Sequence, residues 1–289
     1  NTNKLEKEMS SGMSQLIKGK NIDVNKVQFS DPNTLDNGAK LVYVNYNNSK
    51  FTVQTPWMDM PWEMKAFTED KWPKYSITTS FRGMDENPEL QAFHDHLLEL
   101  EEKIIDAGTE HSLAWFKKRD QPRQVTQALF NPIVKVSTDR DTGEPDGKYP
   151  PTMKLKIPFR DGKWQCRLFN ANEGGESYRI NDGDDLVEDI FVKNARVKCI
   201  IQCVGLWVAA SSYMYQWKIV KAEVDVPETQ ENHSFLPDSD DEDGGAPPPR
   251  TKSSAPAMLD DSEEEASEAE DAEPSPEPAP VKKVAKRVR

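Results

Sequence analysis

The chain has 289 residues, 36% of them hydrophobic, with 50 acidic side chains against 37 basic ones and a formal net charge of −13. That overall sign argues against binding a polyanion, and the three cysteines, Cys166, Cys199 and Cys203, argue against a disulfide framework and for a reducing compartment. No apolar run reaches the ~18 residues of a membrane span and the polar N-terminus lacks a signal-peptide core, so a soluble intracellular protein with no membrane partner is expected.

Charge and composition divide the chain. Residues 228–289 hold 17 acids, 7 bases, 9 of the 21 prolines, one Phe and no Trp or Tyr. A segment this poor in apolar groups cannot bury enough surface to offset its chain entropy, so a disordered tail is predicted. The preceding 227 residues are nearly neutral, with 33 acids and 30 bases, and are numerous enough for a good core. The predicted organisation is a polar arm at 1–24, one domain at 25–227 and the tail at 228–289.

Residues 27–29 read as a first strand, and residues 41–46 and 51–55 as a hairpin around Asn47-Asn48-Ser49. Residues 54–72, QTPWMDMPWEMKAFTEDKW, carry three Trp, three Met and two Pro without a regular period. Such a loop is either pinned into a core or presented to a ligand. Residues 74–82 read as a strand with Tyr75, Ile77, Thr79 and Phe81 on one face. Residues 87–107 are the one strong helix. Asn87 can cap it, Pro88 fits its first turn, and Leu90, Phe93, Leu97, Leu100 and Ile104 form one stripe. Gly108 is its predicted stop. A second helical piece spans 110–119.

Further strands are predicted at 133–137, 152–158, 164–170 and 186–192. The most strand-like stretch is 196–224, two long runs around Ala209-Ala210-Ser211-Ser212. There Tyr213, Tyr215, Trp217 and Ile219 point one way, and Met214, Gln216 and Lys218 the other. Cys199 and Cys203 read as small core residues. One long helix among eight or nine strands, without βαβ alternation, predicts a mainly antiparallel barrel with a helical insertion.

No pattern asks for an enzyme, a metal or another cofactor. His94 and His96 are two apart on the helix, do not face each other, and read as a solvated face. Asp139, Asp141 and Gly143 approach a calcium loop, but the glycine comes one residue early and no twelfth-position Glu follows.

Charge is more informative locally. Residues 115–170 hold 12 Lys and Arg against 6 Asp and Glu, interleaved with aromatics. Single strands suit this mixture, because bases stack on aromatic faces and cations neutralise phosphates. A solvated basic face over core aromatics would give the same composition. The tail is the complement. Asp238, Ser239, Asp240, Asp241, Glu242 and Asp243 form one acidic block, and Asp260, Asp261, Ser262, Glu263, Glu264 and Glu265 another. Such blocks compete with nucleic acid for a basic groove, and phosphorylation of the serines would deepen their charge. The chain closes on the basic cluster KKVAKRVR at 282–289, which reads as a nuclear address, a nucleic-acid contact or a partner of the acidic blocks.

Five stretches, in order, carry a resemblance: VQFSDPNTLDNGAKLVYVNY at 27–46, QTPWMDMPWEMKAF at 54–67, residues 87–116 ending in HSLAWF, YPPTMKL at 149–155, and VKCIIQCVGLWVAASSYMYQWKIVKAEV at 197–224. Together they resemble the single-stranded-DNA-binding proteins of large nucleocytoplasmic DNA viruses, a family similar to the phage T7-type replication protein. The resemblance implies an OB-fold-like antiparallel Greek-key barrel with a long inserted helix and an acidic tail. It implies sequence-independent binding of single-stranded DNA in viral replication, recombination and repair. Replication partners such as DNA polymerase or helicase-primase would be recruited through the tail. Two departures are visible. Phage-type tails end on an aromatic residue where this one ends Arg287-Val288-Arg289, and the closing hairpin lacks the family's glycine-containing turn.

The predicted phosphate contacts are Lys117, Lys118, Arg119, Arg123, Lys154, Lys156, Arg160, Lys163 and Arg167. The predicted stacking residues are Trp115, Tyr149, Phe159 and Trp164. The expected setting is a host nucleus or a cytoplasmic viral factory, with packaging in the virion and a homodimer both open. The rival reading is a virion-associated or chaperone-like interaction protein whose acidic tail binds basic proteins.

Overall fold

The computed structural model describes residues 15–36, 38–69, 73–172, 174–183, 185–209 and 211–227. The predicted tail lies outside them, and so does most of the predicted arm.

Seven segments build the barrel and its plug: β1 (Thr52–Gln54), β2 (Met58–Asp59), β3 (Lys74–Ser80), α1 (Pro88–Glu110), β4 (Thr152–Ile157), β5 (Arg196–Val208) and β6 (Tyr213–Asp225). β2 runs antiparallel to β3 through Ser80 and Asp59. β3 is antiparallel to β4 over six residue pairs, from Tyr75 with Ile157 to Ser80 with Thr152. β4 meets β6 in parallel where Lys156 faces Lys218. β6 turns back antiparallel on β5, and β5 closes the ring on β1 and β2. Counting β1 and β2 as one strand interrupted at Thr55-Pro56-Trp57, the closed order is 1-2-3-5-4, with the third and fifth strands parallel. That is the topology of an OB-fold. The chain is thus mainly β, as predicted, with a long helix inserted between the second and third barrel strands.

Alternation fills the interior. Ile77, Met153, Leu155, Ile157, Val197, Cys199, Ile201, Tyr215, Trp217 and Ile219 all point inward and are buried. α1 plugs one end of the barrel. Asn87 caps it, its Oδ1 accepting from the amides of Glu89 and Leu90 at 3.1 and 3.2 Å. Leu90, Phe93, Leu97, Leu100 and Ile104 are the buried stripe, and the Phe93 and Phe81 ring centroids lie 6.0 Å apart. Burying each such side chain contributes about 2 kcal/mol.

The structure corrects several expectations. α1 does not stop at Gly108. A Cβ there would lie 2.9 Å from Thr126 Cγ2 and 3.2 Å from the Tyr213 hydroxyl, so this glycine permits close packing instead of ending the helix. Residues 110–119 form a shorter helix, α2 (Ser112–Phe116), followed by α3 (Arg123–Leu129). Folded structure begins before residue 25. Leu16–Lys18 pairs in parallel with β1, and Ile22 and Val24 are buried. The Asn47-Asn48 turn, at φ 49° and 60°, joins Val44–Tyr46 to Ser49–Lys50, while β1 leaves to join the barrel. Residues 187–190 are a helical turn, not a strand. His94 is buried edge-on against Phe81, not solvated. Cys199 and Cys203 are core residues, as expected.

Candidate nucleic-acid interface

Because Ile77 and Thr79 of β3 point inward, Ser76 and Thr78 point outward. Because Met153, Leu155 and Ile157 of β4 point inward, Lys154 and Lys156 point outward. Register puts Thr78 beside Lys154 and Ser76 beside Lys156. On one side Ser76 also pairs with Lys65, in the short strand Lys65–Phe67; on the other, Lys156 faces Lys218 of β6. The row Lys65, Ser76, Lys156, Lys218 therefore crosses four strands, ~14 Å at the usual strand spacing. Above it, Lys135 sits opposite Thr152 on the same outer face. Burial lowers the Lys135 amine's affinity for its proton; Glu101 beneath it opposes the shift, and neighbouring Lys154 adds to it. An arriving phosphate would relieve the repulsion between the two lysines.

The aromatic loop before β3 does both things its sequence allowed. Met58, Met60 and Met64 anchor it in the core, whereas Trp62 and Phe67, either side of Lys65, are 52% and 48% exposed. Trp72 falls outside the described residues. Lys65, Lys218, Trp62 and Phe67 were not among the predicted site residues. The signal for Lys218 was present, since it alternates with Trp217. Lys65 joins the row only through the pairing of its short strand with β3.

The predicted residues separate into groups. Lys154 and Lys156 share the outer face, as expected. Arg160 and Lys163 face each other across a small hairpin beyond the end of β4, turned at Asp161 and Gly162. That hairpin is held by Asn181, whose side chain accepts from the Trp164 amide at 2.8 Å and donates to its carbonyl at 2.9 Å. Phe159 and Trp164 are half-buried and pack with Tyr75 in a three-ring cluster, centroids 4.6 to 5.3 Å apart, which leaves them only partial faces. Tyr149 is 62% exposed. Arg167 is exposed beside Lys221 of β6.

Two predictions are overturned. Trp115 is only 3% exposed, wedged among Phe29, Phe116 and Tyr213, so it is a core residue and cannot stack a base. Arg123 is clamped by Glu102 and by Asp106, the latter at 2.7 Å, and ties α3 to α1 with its charge already matched. Lys117, Lys118 and Arg119 are exposed, but they lie in the loop after α2, at the barrel end beside Tyr213, not on the β3–β4 face. The tail residues Ser239, Asp240, Asp241, Glu242, Asp243, Ser262, Glu263, Glu264 and Glu265 lie outside the described residues.

A second aromatic-cationic group surrounds Trp57, with Lys198 and Arg196 at 4.6 and 5.7 Å from its ring. Both cations carry acids: Arg196 pairs with Asp59 at 3.6 Å, and Lys198 with Glu223. This group is therefore structural. Among the described residues no cluster of His, Cys, Asp and Glu could hold a metal.

No protein-family model and no curated protein matches the chain. Solved structures do. A single-stranded DNA-binding protein from bacteriophage Enc34, in complex with ssDNA, aligns over 70% of this chain and 94% of its own at 11% identity and a TM-score of 0.35. A C-terminal truncation of that protein aligns over 72% and 99%, at 11% identity and 0.38. The single-stranded DNA binding protein gp2.5 of bacteriophage T7 aligns over 70% and 100%, at 13% identity and 0.38. Likeness this distant transfers no residue roles.

Proposed function

We propose that this chain is a non-enzymatic, sequence-independent single-stranded-DNA-binding protein. It would serve viral replication, recombination and repair, of the kind found in large nucleocytoplasmic DNA viruses. The observation that supports this most is the lysine row on the outer barrel face, with exposed Phe67 in the same short strand as Lys65 and exposed Trp62 three residues before it. Lys65, Lys135, Lys154, Lys156 and Lys218 take phosphates, and Ser76 and Thr78 offer hydroxyls to them. Trp62, Phe67 and Tyr149 stack bases, with Phe159 and Trp164 adding edges. Such contacts read the backbone and the π-faces that every base shares, so they carry no sequence preference. A duplex buries those π-faces, so single strands are preferred. The acidic tail competes for the same face and recruits replication proteins in the nucleus or a viral factory.

The test is fluorescence polarisation with an oligo-dT of about 30 nucleotides against a duplex of equal length. It uses the full chain and a version stopped at Pro227, across a salt series. The expected result is strong preference for the single strand, tighter binding without the tail, and a log–log salt slope near −3.5 for about five phosphates. Absence of binding by both versions would overturn the proposal.

A further inference from the structure

Among the described residues Glu101 is the one buried acid, and no contact to a single strand uses it. It projects from α1 to the place where the chain crosses from β6 to β4. Phe130–Asn131 pairs in parallel with Tyr213 and Met214 of β6, and Val134–Lys135 then pairs antiparallel with Met153 and Thr152 of β4. At the crossing, one Glu101 oxygen accepts from the amides of Ile133 and Val134 at 2.8 and 3.1 Å. The same oxygen accepts from the Tyr215 hydroxyl of β6 at 3.2 Å. All three neighbours donate, which is the arrangement an ionised carboxylate takes. The helix thereby grips the short strand that ends in Lys135, a member of the outer cationic face.

Anchoring alone does not call for a charge. The amide oxygen of a glutamine would accept the same three bonds, and burying a carboxylate carries a desolvation cost. The charge has a use one residue along. Lys135 is exposed, its amine donates to Asn131 Oδ1, and it forms no ion pair among the described residues. Burial around that amine weakens its hold on the proton; Glu101 from α1 opposes the loss, and Lys154 from β4 promotes it. The titratable groups on the β6 side stay neutral: burial pushes the Tyr215 hydroxyl well above its ordinary range, and the Cys203 thiol beside it up to about 12. Glu101 is thus the anion that sets against Lys154 in holding Lys135 charged.

We propose that Glu101 is a positioning residue for the single-strand face, fixing the strand that carries Lys135 and keeping that lysine charged to meet a phosphate. The inference rests on the single-strand reading of the barrel face. Without the buried anion, Lys135 faces only Lys154 and gives up its proton at lower pH, so one phosphate contact fades as pH rises. With the anion in place the contact persists, although the carboxylate itself touches no nucleic acid.

Glu101→Gln in the full chain keeps the anchoring oxygen and removes the charge. Lysine reactivity is read first, without DNA, by trace amine acylation and mass spectrometry between about pH 6 and about pH 9. Lys135 should become reactive at distinctly lower pH in the variant than in the wild type, with Lys65 and Lys156 unchanged. Oligo-dT affinity is then read by fluorescence polarisation over the same range. The expected result is equal affinity at the acid end and several-fold weaker binding by the variant at the alkaline end, where its salt slope is smaller in magnitude by about 0.7. Lys135→Arg added to Glu101→Gln should restore the alkaline affinity and slope, because a guanidinium keeps its charge. An unchanged Lys135 profile would overturn the proposal. So would binding weakened equally at every pH and not restored by the arginine, the mark of a purely structural role. A shifted Lys135 profile in a chain whose wild type binds no oligo-dT would instead sink the single-strand reading and leave the coupling of Glu101 to Lys135 standing.

Discussion

Glu101 shows how much one side chain can hold. It sits on α1, 7% exposed, and one carboxylate oxygen accepts from the amides of Ile133 and Val134 at 2.8 and 3.1 Å and from the Tyr215 hydroxyl at 3.2 Å. Burial raises its pKa above the ordinary 4.5, outweighing the hydrogen bonds that favour the anion. The folded state thus holds the proton more tightly than the unfolded chain. Its effect on stability is most favourable at low pH and declines as pH rises from 4.5 through the folded-state value. Glu101→Gln keeps an acceptor and removes the charge. Urea melts should show it unchanged or about 1 kcal/mol more stable at pH 7.5, with the acid-side slope reduced. Glu101→Leu strands three donors and should cost about 2–4 kcal/mol. The cysteines give a second check. Burial pushes all three thiols up to about 12, so a thiol reagent at pH 8 should label none in the native protein and all three in denaturant. Among the tryptophans, Trp115→Ala should cost about 3–5 kcal/mol of stability. Trp62→Ala should leave melting unchanged and weaken oligo-dT binding by about 1–3 kcal/mol. Composition alone cannot separate these tryptophans, because an aromatic in a basic stretch reads the same whether it faces inward or outward.

At the scale of elements, two glycines report on packing that local propensity hides. In an exposed helix Gly→Ala gains about 1 kcal/mol. Gly108→Ala should instead destabilise, since its methyl group would meet Thr126 and Tyr213. Gly205 in β5 has φ +144°, and a Cβ there would lie 2.8 Å from the Val42 carbonyl oxygen. Gly205→Ala should cost about 2–3 kcal/mol by denaturant melts. It lies where β5 shifts register against β6, between Cys203 and Gly205. The long hairpin was legible because its period of two is unbroken for most of its length. The cap at Asn87 and the stripe of α1 were legible for the same local reason. The end of α1 was not, because a glycine that ends a helix and one that lets two helices touch look alike in sequence.

For the whole molecule, the barrel closes through pairs far apart in the chain: Asp59 with Arg196, and Lys156 with Lys218. That closure turns scattered lysines into a row. Lys65 and Lys218 are 153 positions apart in the chain, yet only the two strands that carry Ser76 and Lys156 stand between them. Lys156→Ala and Lys218→Ala should each reduce the magnitude of the salt slope by about 0.7, whereas Arg123→Ala should leave the slope alone. The sequence by itself determined the β class, the inserted helix, the inward face of β6 and the acidity of the tail, because these follow from local periodicity and composition. Only the tertiary structure decided which cations share a face, that Trp115 is core and Arg123 already matched, and that the basic loop after α2 stands apart from the lysine row. Those depend on strand register and ring closure, which bring distant residues together by packing that no local pattern encodes.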